Sequence, residues 1–445
     1  MIVFIDSTVM GLQALRTAEQ LGHDVVFIRQ RSPSFASLAG STERELRERA
    51  GFAGRYVEVA ALDTGEVRSV ITGLAREAPI DAILTTSEAA LLTVAREAEH
   101  FGTRYPRHDR LRDAVYKDRM RRVLRERGIR STAYRAIGDP GRYSRDTPSA
   151  VRPPFVVKPV RGFGKQYSAV CRTWEDFDRF VATVDEARRC DPVDLGRLVS
   201  TDYLVEEYVD GSLHSAEVLV TDGRVRMFAT TNRHRADYYD LLEIAAAMPS
   251  TMPGPARAAA QAYVQEVFEA LGLDVGVYHV ELIVGRDGPV IVEINARMMG
   301  SVSPQMFQLL TGTDPFELMI KAHLGQPVDT DTTFGSAALT LAVAARHGGV
   351  VAPHFARHDL DALLTAFDVP LDTLKVWAGQ TARRYEGNLS IFGHVIIPAR
   401  TSAEASLRGL EFLARVEELV GLEIAKYDPR GVADVGPSAL LAAEG

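Results

Sequence analysis

The sequence predicts a multi-domain protein of mixed class, α/β at its start and α+β beyond, and three observations predict it. The first 110 residues alternate short apolar runs with stretches of helical periodicity, the pattern of a small parallel sheet covered by helices. The central part instead strings strands together through tight turns. From about residue 331 a strand and a long amphipathic helix close the chain. A length of 445 residues suggests about three ordinary domains. The expected divisions are 1–110, 111–200, 201–330 and 331–445. Hydrophobic content of 46% and charged content of 25% are those of a soluble globular protein. A net charge of −8 and no basic stripe with interleaved aromatics argue against nucleic-acid binding. Two cysteines, Cys171 and Cys190, are too few for a disulfide framework or a zinc site. No run approaches the length of a membrane span and no basic n-region leads an apolar stretch, so a cytoplasmic protein is expected.

The elements follow in order. IVFID at 2–6 is a strand. Residues 10–21 show helical spacing through Leu12, Leu15 and Ala18, with Gly22 as a stop. DVVFI at 24–28 is the next strand, and IDAILTT at 80–86 with the helix LLTVAREAEHFG repeats the unit. The first turn, DSTVMG, carries one glycine where a nicotinamide-binding fingerprint needs three. The domain therefore reads as Rossmann-like in fold without that cofactor function.

VYKDRMRRVLRERG is a helix with Met120, Val123 and Leu124 on one face and Gly128 at its end. Lys117 falls in its first turn, where the helix dipole gives a cation nothing. An anionic ligand explains it, as does an ordinary surface position. Residues 138–154, rich in Pro, Gly and Ser, read as a loop. In FVVKPVRGFGKQYSAVCR, Val156, Lys158 and Val160 share a strand face, and a lysine among valines needs a partner. The turn Gly162-Phe163-Gly164 lies between Arg161 and Lys165. Its glycines let backbone N–H groups approach phosphate oxygens, or serve turn geometry alone. It is no P-loop, since GxxxxGK[ST] is absent. Thr173 caps the following helix. YLVEEYVDG then supplies a strand end whose Glu206, Glu207, Tyr208 and Val209 offer edge backbone groups to a flat heterocycle. A hairpin closes on Asp222-Gly223, and a helix fills 258–272.

The most informative stretch is VYHVELIVGRDGPVIVEINAR at 277–297. It reads as a hairpin with a five-residue loop centred on Asp287, so that Val284 faces Val290, Glu281 faces Glu293 and His279 faces Asn295. All four polar residues then share a strand face. Two carboxylates about 5 Å apart at an effective dielectric near 20 repel by roughly 3 kcal/mol. A cation between them removes that penalty. Two carboxylates and an amide suit Mg²⁺ or Mn²⁺, with phosphate oxygens completing the shell. Arg297 follows, placed to meet anionic oxygens. The alternative is a half-exposed hairpin with its polar residues outside. In the last helix, SAEASLRGLEFLARVEELV, the apolar positions are Leu407, Leu410, Leu413 and Val416.

This order of lysine helix, lysine strand with glycine turn, acidic strand end and carboxylate pair ending in NxR resembles the ATP-grasp superfamily, in its branch of amino-acid and dipeptide ligases. The similarity covers most of the chain. It implies an ATP-grasp fold with an N-terminal Rossmann-like pre-ATP domain, two halves gripping the nucleotide and a C-terminal αβ module, with ATP and Mg²⁺ (or Mn²⁺) as cofactors. By position, Lys117 and Lys158 look like the phosphate-contacting lysines, and Gly162, Phe163, Gly164 and Lys165 like the closing loop. Glu206 and Val209 resemble the adenine-reading hinge, with Glu207 and Tyr208 beside them. Glu281, Glu293 and Asn295 match metal ligands. Arg297 matches the arginine that steadies the transferring phosphoryl group and the acyl intermediate, with Lys165 as the second catalytic group. Where many members place a ribose-contacting glutamate stands Leu213; His214, next along, is nominated instead, its other reading being a solvated strand-start histidine. Glu243 stands at the amino-acid pocket, but the histidine three residues on in related ligases is Ala246 here. Gly300 and Ser301 lie in the segment MMGSVS, where members line the substrate pocket with glycines, while Met298 and Met299 fit ordinary packing.

The resemblance implies an ATP-dependent carboxylate–amine ligase. It would activate a carboxylate as an acyl phosphate and couple it to an amine, with small-molecule acid and amine partners, no nucleic acid and no membrane. A homodimer contact through the C-terminal module is a candidate. The rivals are a bicarbonate-activating enzyme of the biotin-carboxylase kind, towards which His214 leans, and a nucleotide-binding regulatory protein without turnover.

Overall fold

The computed structural model describes residues 1–31, 41–62, 65–146, 150–162, 167–190, 200–387 and 390–429. Its first sheet is all parallel, formed by β1 (Ile2–Ile5), β2 (Val25–Gln30), β3 (Arg55–Val59) and β4 (Ala82–Leu84) in the order β3-β2-β1-β4. The β1 run IVFI is buried along its whole length, as expected for a strand covered on both faces. Beyond the carboxyl ends of β1 and β4 lies a buried polar patch, in which the hydroxyls of Ser7 and Thr86 are 2.7 Å apart. The glycine of DSTVMG serves this packing: a Cβ on Gly11 would stand 2.0 Å from Thr86 Oγ1.

The second sheet is β5 (Tyr134–Ile137), β6 (Phe155–Pro159), β7 (Ala169–Cys171) and β8 (Tyr203–Glu207), in the order β5-β8-β6-β7. Helix Trp174–Cys190 covers it, with Phe177 of the helix packed among Phe155 and Tyr203 of the sheet. Thr173 caps that helix as expected, with Asp176 N donating to Thr173 Oγ1 and Thr173 N to Asp176 Oδ2. This sheet runs on to Glu207, past the division expected at residue 200, because β8 pairs with both β5 and β6.

The large sheet contains β9 (Ser212–Thr221), β10 (Arg224–Ala236), β11 (Tyr239–Met248), β12 (Gly276–Gly285), β13 (Gly288–Asn295) and β14 (Ala337–Val343). Past a small ladder of β15 (Gly349–Val350) and β16 (Thr381–Ala382), β17 (Gly393–Ala399) completes it in the order β13-β12-β9-β10-β11-β14-β17. The C-terminal part is therefore continuous with the central sheet: β14 hydrogen-bonds to β11 and β17 to β14. On one face, helices His108–Val115, Lys117–Glu126 and Gly254–Leu271 pack against Val218, Tyr278 and Val280. Helix Ser402–Val420 packs on Leu339, Leu341 and Ile397. It does so through Gly409, Phe412, Leu413 and Val416, whereas Leu407 is 60% exposed. The helix lies too close to the sheet for a larger stripe, since a Cβ on Gly409 would come within 2.4 Å of Leu339 and Tyr427.

The β12–β13 hairpin differs from expectation in an instructive way. Gly285 pairs with Gly288, so the loop is Arg286-Asp287, and Val284 faces Pro289 instead of Val290. A bulge at Val292 then takes up one residue, and Glu281 faces Glu293 and His279 faces Asn295 as predicted. Among the described residues no helix is long and apolar enough to cross a membrane.

Candidate active site

One cleft is lined from the second and the large sheets and the helices beside them, with Glu88 reaching in from beyond the parallel sheet, and includes Lys117, Arg121, Lys158, Glu206, Arg233, Glu243, Glu281, Glu293, Asn295 and Arg297. Lys117 is the first residue of its helix, after the extended Tyr116. Its Nζ reaches Glu293 Oε2 at 2.9 Å. Burial, the largest single influence, pulls the ammonium pKa down, but Glu293, Glu88 and Glu206 together outweigh it and the net shift is upward. One turn on, Arg121 is fully buried. It donates through Nε to Glu206 Oε1 at 2.8 Å and through a terminal nitrogen to the carbonyl of Val292 at 3.0 Å. That carbonyl belongs to the bulge residue, so one arginine ties the lysine helix to the strand end of the second sheet and to the kink that sets Glu293.

Lys158 finds the partner a lysine among valines requires: its Nζ is 2.7 Å from Glu206 Oε2. Burial raises the Glu206 carboxyl, but Arg121 and Lys158 together overcome this and hold it at about 2. The Glu206 side chain is thus an internal counter-ion. Its neighbours Glu207, Tyr208 and Val209 line the cleft beside it.

Glu281 and Glu293 sit on the cleft face of the hairpin. Asn295 Nδ2 donates to Glu293 Oε1 at 3.2 Å. His279 Nδ1 lies 2.8 Å from Glu217 Oε1, and its Nε2 is 3.8 Å from Glu281 Oε1. Burial, the largest single influence, disfavours the imidazolium, yet Glu217 and Glu281 together overcome it and lift the pKa to about 9. Cations thus offset the carboxylates from Lys117 on one side and His279 on the other. The donor set of two carboxylates and one amide oxygen fits a hard divalent ion. Among the described residues no cluster of three His, Cys, Asp or Glu forms a complete metal cage. An ion held by this pair would draw further oxygens from a ligand.

Arg297 leaves the end of β13, where a terminal nitrogen donates to Glu88 Oε2 at 3.3 Å. Glu88 lies just beyond β4 of the parallel sheet, 209 residues away, and nothing local marks it. Arg233 is a second residue the sequence did not single out. It forms a close ion pair with Glu243, and Glu243 raises its pKa against the opposing effect of burial. Glu243 reaches this face through a bulge. His234 pairs with Ala245 but Arg235 with Glu243, which leaves Ile244 unopposed and turns Glu243 to the side that carries Ala246. Alternation alone would have turned it away.

Gly162, Gly300 and Ser301 line the cleft, while Met298 and Met299 are core residues. Phe163, Gly164 and Lys165 lie outside the described residues. His214 corrects an expectation. It is 1% exposed, does not line the cleft, and its ring nitrogens stand 2.8 and 3.0 Å from the hydroxyls of Ser212 and Ser250. Both nitrogens are engaged, so burial drives its pKa to about 4 and leaves no group to offer a ribose or a bicarbonate.

Comparison with known proteins adds the following. Residues 151–305 match the ATP-grasp domain and residues 15–103 the ATP-grasp N-terminal domain. The uncharacterized protein y4rH of Sinorhizobium fredii is 25% identical over 280 residues, 62% of this chain and 56% of that one. Carnosine synthase 1 of Gallus gallus is 30% identical over 124 residues, 28% of this chain and 13% of that one. The chain thus spans only part of the length of these curated relatives. The crystal structure of an L-amino acid ligase from Bacillus licheniformis superimposes with a TM-score of 0.72 at 18% identity, over 96% of this chain and 98% of that one, a likeness of fold.

Proposed function

For a chain that belongs to the ATP-grasp superfamily, we propose the activity of an ATP-dependent carboxylate–amine ligase that joins an amino acid or related acid to an amine. The observation that carries this reading is the convergence in one cleft of two lysines, a facing carboxylate pair and Arg297. Two of the similar proteins bear the names L-amino acid ligase and carnosine synthase, which supports it.

Lys117 and Lys158 are held by Glu293 and Glu206 and would exchange part of that pairing for phosphate oxygens of ATP. Glu281, Glu293 and Asn295 would hold Mg²⁺ or Mn²⁺, which when bound neutralises charge on the phosphates. The substrate carboxylate oxygen attacks the γ-phosphorus, and the bond to the ADP oxygen breaks. An acyl phosphate results. The amine nitrogen then attacks the acyl carbon, phosphate leaves with the electron pair, and the nitrogen gives up a proton. Arg297, oriented by Glu88, stabilises the tetrahedral oxyanion and the departing phosphate. Arg233 and Glu243 offer a donor and an acceptor side by side, complementary to the carboxylate and ammonium of an α-amino acid.

The test is ADP release with ATP and Mg²⁺ over single amino acids, pairs of acid and amine, and bicarbonate, with products identified by mass spectrometry. Turnover with a pair and an amide product is expected. Turnover with bicarbonate alone, or with no substrate offered, refutes the proposal.

A further inference from the structure

The cleft continues well beyond the carboxylate pair. On the same face of the large sheet, β10, β11, β14 and β17 carry it over three more strand spacings, roughly 14 Å. Arg233 pairs across with Ala246, Ala246 with Thr340, and Ala342 with His394. All of these line the cleft. Ala246 and Ala342 are short side chains where strands ordinarily carry branched or aromatic ones, and with the small Thr340 between them they form the floor of a trough. The Arg233–Glu243 ion pair stands at its near end. Tyr385 and His394 wall its far end.

Two of the trough's hydroxyl groups are engaged within the protein. The Tyr385 hydroxyl donates to the carbonyl of Glu243 at 2.5 Å, and the Thr340 hydroxyl to the carbonyl of Ala246 at 3.4 Å. The main chain of His394 exchanges hydrogen bonds with Thr373. Among the described residues, however, nothing hydrogen-bonds to the His394 ring nitrogens. Burial pushes that imidazole down to about 4, so at neutral pH it presents one N–H donor and one bare acceptor nitrogen. The ring is only partly buried, so water can meet its nitrogens in the trough, and a ligand group that hydrogen-bonds there takes the place of that water. From β11 to β17 the distance is two strand spacings, roughly 10 Å, comparable to the length of a tyrosine-sized amino acid.

We propose that this trough is the side-chain pocket for an amino-acid substrate with a long or aromatic side chain ending in an uncharged hydrogen-bonding group, and that His394 reads that end. The assignment rests on the ligase reading for its choice of substrate. The short floor admits bulk, no charged side chain acts on His394 among the described residues so a charged tip would lack a counter-ion there, and the ring rewards a phenol or indole-type polar tip over a plain hydrocarbon.

The experiment compares tyrosine, phenylalanine and alanine as substrates by ADP release with the full-length protein, together with calorimetric binding of each amino acid in the presence of ADP and Mg²⁺. Tyrosine is expected to exceed phenylalanine in kcat/KM by about tenfold or more, since a site that hydrogen-bonds a hydroxyl discriminates against its absence. In His394→Phe the tyrosine-to-phenylalanine ratio falls to near unity, and His394→Gln, which keeps a donor and an acceptor, restores part of it. Ala246→Leu fills the floor and lowers the tyrosine-to-alanine ratio by at least about tenfold. Equal or better use of alanine by the wild-type protein, or ratios that neither variant moves, overturns the pocket and leaves the ligase reading standing. Binding of tyrosine that depends on His394, with no ADP released for any pair, supports the pocket and overturns the ligase reading. If none of the three amino acids binds or is turned over, the pocket fails.

Discussion

Replacing Glu293 by Gln separates chemistry from folding. In the protein as it stands, Lys117 Nζ lies 2.9 Å from Glu293, with side-chain exposures of 10% and 23%. At an effective dielectric near 20 that attraction is worth roughly 6 kcal/mol. The facing Glu281, about 5 Å away across the ladder, opposes it by roughly 3 kcal/mol. Glu293→Gln loses the first contribution and is relieved of the second, a net destabilisation of about 2 to 3 kcal/mol. For a chain of this size that lowers an apparent Tm by a few degrees only, and the variant stays folded at 25 °C. Its ATP turnover, by contrast, is expected to fall at least about 100-fold, because an amide cannot supply the anionic oxygen that a phosphate-bound divalent ion requires. The assay is ADP release across a Mg²⁺ titration, run beside a thermal melt of the same preparation. Wild-type turnover in a folded Glu293→Gln protein would remove Glu293 from the metal site and with it the mechanism above.

Two further predictions follow the same logic. Arg121→Leu takes one partner from a buried network and leaves the carbonyl of Val292 without its donor, so a stability loss of roughly 3 to 5 kcal/mol is expected in urea unfolding; a loss below 1 kcal/mol would show that the arginine is not what ties the three elements. Burial lowers the pKa of His234 and His323 to about 4, so the folded protein favours the neutral rings. Their contribution to stability is complete above pH 6.5 and is lost as pH falls from 6.5 towards 4, with roughly 2 kcal/mol gone per ring by pH 5. His323→Gln should therefore flatten the pH dependence of the unfolding midpoint between pH 7 and 5, and an unchanged slope would contradict the assignment.

The legibility of the site varies residue by residue. Glu281 and Glu293 were readable because strand alternation is a local rule and both lie in one hairpin. Even there the predicted loop was too long, and the bulge at Val292 compensated. The helix carrying Lys117 and the strand carrying Lys158 were readable from periodicity, although the carboxylates that hold them lie 176 and 48 residues further along the chain. Of the apolar positions in the last helix, Leu413 and Val416 pack and Leu407 does not, because the buried face starts from the small residues Ser402, Ala405, Ser406 and Gly409 before Phe412 and Leu413.

By itself, then, the sequence determined the order of elements, the turn positions and the pairing of the two acids, all of which depend on neighbours within one strand or helix. Only the tertiary structure decided that Glu88 meets Arg297, that Arg121 joins three elements, that a bulge at Ile244 turns Glu243 towards Arg233, and that His214 faces serines. Those facts depend on which surfaces are brought together by burial and on where a ladder slips by one residue. No local pattern encodes either, because the energies involved belong to contacts between distant segments.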